Sequence, residues 1–189
     1  MKRHEIEIRC GEIDWKNFSG VERTAIVNGR PQIVNAEGKR GFAAIIDPLK
    51  SEIYFDNERV TDPNFGQTLA DLGYRVNIRP GREEGDPAQY RLPVEIRFPE
   101  NDDKNSKYVP KIYQVGPDGR EHLLDEESIR NLDESDVVRA DILITNSTSI
   151  DKKTGEEKAK TWCNLAYFWL RERHIGPGYQ PSDYEEDAE

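Results

Sequence analysis

Two groupings of residues in this chain are spaced for chemistry: carboxylates in adjacent pairs, and cations interleaved with aromatic rings. The acid pairs Glu83-Glu84, Asp102-Asp103 and Glu126-Glu127 carry the oxygen donors of a magnesium-dependent nuclease. All three fall in expected loops or at helix starts, where acids serve solvation and the helix dipole. His4, His122, His174, Cys10 and Cys163 stand apart in sequence, without the spacing of a zinc site. No phosphate-cradling glycine loop, Gly-x-Ser-x-Gly elbow or His-Glu-x-x-His helix is present. The residues describe a binding protein, not an enzyme, with no catalytic residue, cofactor or metal expected.

The cations lie on the polar faces of alternating segments. Where Tyr74, Val76 and Ile78 point inward, Arg75, Asn77 and Arg79 must point outward. The same alternation sends Arg91, Glu95 and Arg97 outward from the next segment, and sets Lys107 and Lys111 on one face with Tyr113. If these segments are neighbours, they form a strip of cations and aromatic groups suited to phosphates and unstacked bases. An ordinary charged sheet face, its cations paired by acids such as Glu95, would read the same way. Trp15-Lys16-Asn17-Phe18 places two large rings around a lysine. Trp162, Tyr167, Phe168 and Trp169 form a third aromatic group, flanked by Lys158, Lys160, Arg171 and Arg173. Strict alternation puts Trp162 with Phe168 on one face and Tyr167 with Trp169 on the other. One face is core and the other a stacking surface; periodicity does not say which. The lysines of the loop Asp151 to Lys160 would clamp a strand, or serve only to keep a long loop soluble.

The elements that must position these residues are mostly strands. Glu5 to Arg9 alternates with period two. Thr24 to Val27 leads into Asn28-Gly29, a hairpin turn, with Gln32 to Val34 as the returning arm. Gly41 to Ile46 is an apolar run ended by Asp47-Pro48, a buried strand. Phe65, Leu69 and Leu72 share one face of a short helix stopped at Gly73. Tyr90, Leu92, Val94, Ile96 and Phe98 line one face of a strand that Pro93 should demote to an edge or interrupt with a bulge. Lys107 to Val115 is a further strand, and Asp125 to Leu132 a second short helix with Ile129 and Leu132 at i, i+3. Val137 to Thr145 and Thr161 to Arg171 are the last strands, with Asn146 to Lys160 a polar loop between them. About seven strands, two short helices and no βαβ rhythm predict an antiparallel barrel or sandwich.

Composition sets the outer limits. The 189 residues suit one domain, and 34% charged residues against 35% hydrophobic ones imply long solvated loops. No apolar run reaches the ~20 residues of a membrane span. The start Met1-Lys2-Arg3-His4-Glu5 lacks a secretory signal's apolar stretch, so a soluble, cytoplasmic protein with no membrane partner is expected. The net charge of −10 is concentrated in residues 47–73, 116–142 and 183–189. The last holds Asp183, Glu185, Glu186, Asp187 and Glu189 and no base, a self-repelling run expected to be disordered.

The order of segments resembles a family of bacteriophage single-stranded DNA-binding proteins built on an OB-type barrel. The matching pieces are Asn17-Phe18-Ser19-Gly20, Gly41 to Pro48 and Leu69 to Ile78. The step Leu132-Asp133, the run Asp141 to Ile144 and the acidic tail complete them. The stretch Leu49 to Asp62 and the aromatic-poor hairpin from Arg23 to Arg30 depart from the pattern. The resemblance implies an OB-like barrel over residues 1–175, followed by a disordered acidic tail, 176–189. It would bind single-stranded DNA without sequence preference during phage DNA replication or recombination, in the cytoplasm of a bacterial host. Arg75, Arg79, Arg97, Lys107 and Lys111 would hold phosphates, and Trp15, Phe18, Tyr113 and Trp162 would stack bases. Lys16, Arg91, Lys158 and Lys160 complete the expected interface. The tail would compete with DNA or recruit replication proteins, and self-association stays open. Two other readings remain: an acidic DNA mimic or inhibitor of a host enzyme, and a metal-dependent nuclease.

Overall fold

The computed structural model describes residues 3–99 and 109–171. Among the described residues twelve strands form in chain order. They are β1 (Glu5–Asn17), β2 (Arg23–Val27), β3 (Arg30–Asn35), β4 (Arg40–Ile46), β5 (Glu52–Phe55) and β6 (Glu58–Val60). After the helix α1 (Phe65–Asp71) come β7 (Asn77–Arg79), β8 (Gln89–Ile96), β9 (Lys111–Val115) and β10 (Glu121–Leu124). A 3-10 segment, Ser128–Asp133, precedes β11 (Val137–Ile150) and β12 (Glu157–Leu170). Five strands close on themselves in the order β1-β4-β8-β12-β11, with β11 returning to β1. All neighbours in this ring are antiparallel except β8 and β12, which meet in parallel at Glu95 and Trp162. This is the mainly β, OB-like barrel expected from the sequence.

The core fills the ring. Ile6, Ile8, Phe42, Ile46, Leu92, Val94, Ile142, Ile144 and Phe168 are buried inside it. Phe18 stacks on Phe42 at 5.6 Å and meets Phe168 edge-on at 5.5 Å. Helix α1 covers one end with Phe65 and Leu69, and the left-handed Gly73 (φ +90°) stops it as its position foretold. The 3-10 segment adds Ile129 and Leu132. Within the ring, strand β1 pairs with β11 through Gly11 and with β4 from Glu12 onward. The change of partner is made at a bulge where Cys10 takes φ +55° and Gly11 packs so closely that a Cβ would lie 3.2 Å from the Ala140 carbonyl.

Four readings of the sequence change. Leu49 to Asp62, an extra stretch against the family pattern, contains the β5–β6 hairpin, which pairs with the first half of β1. Asn146 to Lys160 is mostly strand: β11 and β12 run on to Ile150 and back from Glu157, closed by a tight turn in which Gly155 takes φ +72°. Strand β8 is not an edge despite Pro93. Pro93 pairs with Ala43 on one side, and on the other falls in the gap between β7, which ends opposite Arg91, and β12, which joins at Glu95. The missing N–H is needed least there, and the Pro93 carbonyl accepts a hydrogen bond from Thr161 Oγ1. Finally, β9 is not a neighbour of β8. It lies between β10 and β12, so the imagined strip is divided.

Candidate nucleic-acid interface

The outer face of β4 and β8 carries Gly41, Ala43 and Pro93 at its centre. Alternation directs Gly41, Ala43 and Ile45 outward from β4, and Arg91, Pro93 and Glu95 outward from β8. Gly41 is required there, since a Cβ would come within 2.5 Å of the Val94 carbonyl. Ala43, between Asp14 and Pro93 in the register, is only 1% exposed although it faces away from the core. On one margin of this floor stands Trp15. A second bulge in β1, between Asp14 and Asn17, holds it at φ +50° with 51% of its surface open. The Arg91 guanidinium lies 4.9 Å from the Trp15 ring centre and 2.8 Å from the Asp14 carboxylate. On the other margin Trp162 sits beside Glu95, its indole Nε1–H donating to Ser147 Oγ at 2.7 Å.

Cations ring the floor. Strand β7 pairs with β8 so that Asn77 faces Arg91 and Arg79 faces Gln89. A parallel bridge from Tyr74 to Ala159 brings Arg75 and Lys160, the next residue on each chain, to the same level. Arg75, Arg79, Arg97 and Lys160 are exposed, and none is in an ion pair among the described residues. The acids on the floor are each held by a cation: Asp14 by Arg91, and Glu95 by Lys39 at 3.2 Å. Lys158 is exposed at the hairpin tip and bound to Asp151 at 3.0 Å.

Two expected contacts are structural instead. Phe18 is fully buried, and its place in the aromatic cluster leaves no face for a base. Lys16 turns inward and donates from Nζ to the carbonyls of Leu132 (3.0 Å) and Ser135 (2.6 Å), tying β1 to the 3-10 segment. The surrounding motif has the same purpose. Asn17 Oδ1 accepts from the amides of Gly20 and Val21, and Asp133 accepts from those of Phe18 and Ser19 at 2.7 and 2.9 Å. Together they fix the bend from which the β2–β3 hairpin projects. Lys111 and Tyr113 are surface residues, but on the outer face of β9, apart from the floor; Tyr113 stacks on Tyr167 at 4.8 Å. Lys107, Asp102-Asp103, His174 and the acidic tail lie outside the described residues. Among the acid pairs, Glu126 binds Arg40 at 3.2 Å and Glu83-Glu84 is exposed.

No protein-family model and no curated protein matches this sequence. A solved structure does: that of gp2.5, a single-stranded DNA-binding protein encoded by bacteriophage T7. The two are similar over 100% of this chain and 95% of that one, at TM-score 0.37 and 10% identity.

What sequence reasoning missed is the parity of β12. Ala159, Thr161 and Cys163 are buried, but so are Ala166 and Phe168. The register with β11 skips Asn164, so one unpaired residue reverses the alternation midway. Trp162, Tyr167 and Trp169 therefore all face outward, and Phe168 alone of this aromatic group enters the core.

Proposed function

We propose that the protein binds single-stranded DNA, without sequence preference and without catalysis, across the outer face of β4 and β8. The observation that carries this reading is the outer β4–β8 face between Trp15 and Trp162, rimmed by the exposed Arg75, Arg79, Arg97 and Lys160, none of them in an ion pair among the described residues. Unstacked bases need exposed aromatic faces and a backbone approach free of bulky side chains; phosphates need cations that are not already neutralised. In an OB barrel the second and third strands, with the loops on either side, form the surface that takes oligonucleotides. Here those strands are β4 and β8. The flanking loops are the β2–β3 hairpin, with Arg23 and Arg30, and the β11–β12 tip, with Lys152 and Lys153. A bacterial host infected by phage, and a role in replication or recombination, belong to the same proposal, as does recruitment of replication proteins by residues 176–189.

Titration with an oligo-dT strand, followed by the emission of the three tryptophans, Trp15, Trp162 and Trp169, tests it. Saturable quenching that weakens steeply with salt and is poorly reproduced by duplex is expected. Absence of binding at low salt, by quenching and by gel shift, would overturn it. Trp15→Ala should weaken binding by about 1–3 kcal/mol, the worth of one stacked base. A contiguous acidic face with the arginine strands buried or paired would favour the acidic-mimic alternative; Arg91 is paired with Asp14, while Arg75, Arg79 and Arg97 are exposed and in no ion pair among the described residues.

A further inference from the structure

The β12 bulge has a consequence outside the β4–β8 floor. Beyond Asn164, Leu165, Tyr167 and Trp169 face outward in line with Trp162 along the same strand, over roughly 20 Å at ~3.3 Å per residue. Strand β9 sets Tyr113 beside Tyr167, the rings parallel to within 9° at 4.8 Å. Trp169 stands 6.1 Å from Tyr167 and tilted by 39°, so the two rings form an open wedge. From β11, the Arg139 guanidinium lies 4.4 Å from the Trp169 ring centre, oriented by two contacts to Asp141 at 3.1 and 2.8 Å. Lys111 opens this row next to Leu165 and forms no ion pair among the described residues. None of these rings contributes to the barrel core. Three aromatic faces and a stacked guanidinium in one row, continuous along one strand with Trp162, have the chemistry of a stacking platform for successive nucleobases.

We propose that Tyr113, Tyr167, Trp169 and Arg139 form a second base-stacking subsite, which takes the continuation of a single strand leaving the β4–β8 floor past Trp162. The inference rests on the floor being the primary site. It gives the protein two affinity regimes: a short strand fills the floor only, and a longer one also reaches the platform. The test compares oligo-dT of five and of fifteen nucleotides on the full chain and on Tyr167→Leu/Trp169→Leu, which keeps apolar cover but removes the π faces. Affinity for the long strand should fall by at least about 5- to 150-fold, the range for losing one stacked base. Affinity for the short strand should be unchanged. As a second readout, Trp15→Phe/Trp162→Phe leaves Trp169 as the only reporter in the chain. Its emission should be quenched at saturation by the long strand and not by the short one. Equal loss for both lengths, unchanged long-strand affinity, or a silent Trp169 at saturation would overturn the subsite. So would a change in oligomeric state without a change in DNA affinity, which would mark the row as a contact between copies. If neither length binds the unsubstituted protein, the primary site fails, and that outcome is distinct from all of these.

Discussion

Tyr74 and Tyr90 bury their phenols at 4% and 2% exposure, and neither hydroxyl has a partner among the described residues. Burial, aided by Asp56, pushes the Tyr74 phenol up to about 12, and burial beside Asp62 raises Tyr90 further. Burial likewise takes the Cys163 thiol up to about 12. The sign follows from proton counting. Above about pH 9–10 the unfolded chain releases these protons while the native state keeps them, so stability falls with rising pH. The contribution is complete below that point and lost as pH passes through the native values. Urea midpoints measured from pH 8 to 11 should drop steadily, and Tyr90→Phe should flatten part of the drop. At pH 7 the same substitution removes an unsatisfied buried hydroxyl and should stabilise by about 1 kcal/mol. The two aromatics of the Trp15–Phe18 motif separate just as clearly. Phe18→Ala should cost about 3–5 kcal/mol of stability, because it empties the core beneath Phe42 and Phe168. Trp15→Ala should change melting little and strand binding strongly, since half of Trp15 is in solvent.

At the scale of elements, what was legible followed from clean periodicity. Tyr90, Leu92, Val94 and Ile96 all face the core as their alternation required, and α1 presents Phe65 and Leu69 and stops at Gly73. What was illegible depended on non-local pairing. The β5–β6 hairpin, strands of four and three residues around the Asp56-Asn57 turn, is too short to stand alone and exists because β1 offers it an edge. The bulges at Cys10, Trp15 and Asn164 each shift parity by an amount that no hydrophobic count reveals, and two of them decide where the tryptophans point. Arg75, Arg79 and Arg97 could be placed outward from the sequence, while the join between β8 and β12 that sets Trp162 next to them could not. The Asn164 bulge can be tested directly. Asn164→Ala removes only a side-chain contact to Thr145 and should cost about 1 kcal/mol. Deleting Asn164 leaves Cys163 and Leu165, which already stand opposite Ile144 and Leu143, as consecutive residues of a regular ladder, so Trp162, Tyr167 and Trp169 stay outward and Phe168 stays in the core. The deletion should therefore cost little more than Asn164→Ala. Thermal melts of the two variants should be similar, and a loss for the deletion beyond the ~3–5 kcal/mol of a single core truncation would show that the bulge itself is needed to seat β12.

For the whole molecule the difficulty is a net charge of −10 on a protein read as a ligand for a polyanion. The fold resolves part of it by segregation. On the β4–β8 floor the acids Asp14 and Glu95 are each neutralised by a neighbouring cation, and Arg75, Arg79 and Arg97 are in no ion pair among the described residues. A local field of this kind governs encounter within about 8–10 Å at ordinary ionic strength, whatever the total charge. The remaining acid includes Asp183, Glu185, Glu186, Asp187 and Glu189, clustered in the last residues of the sequence. On the proposed reading, such a segment linked to the barrel would compete with DNA for the same cations at a high effective concentration. Removing residues 183–189 should therefore tighten binding to oligo-dT at 50 mM salt and have little effect at several hundred millimolar, where screening weakens both competitors. The slope of log affinity against log salt should become steeper, because the cations then exchange counterions with DNA instead of with the tail. An unchanged slope, with binding tighter by the same factor at every salt, would mean that the tail acts by excluded volume, which salt does not screen, not by occupying the floor.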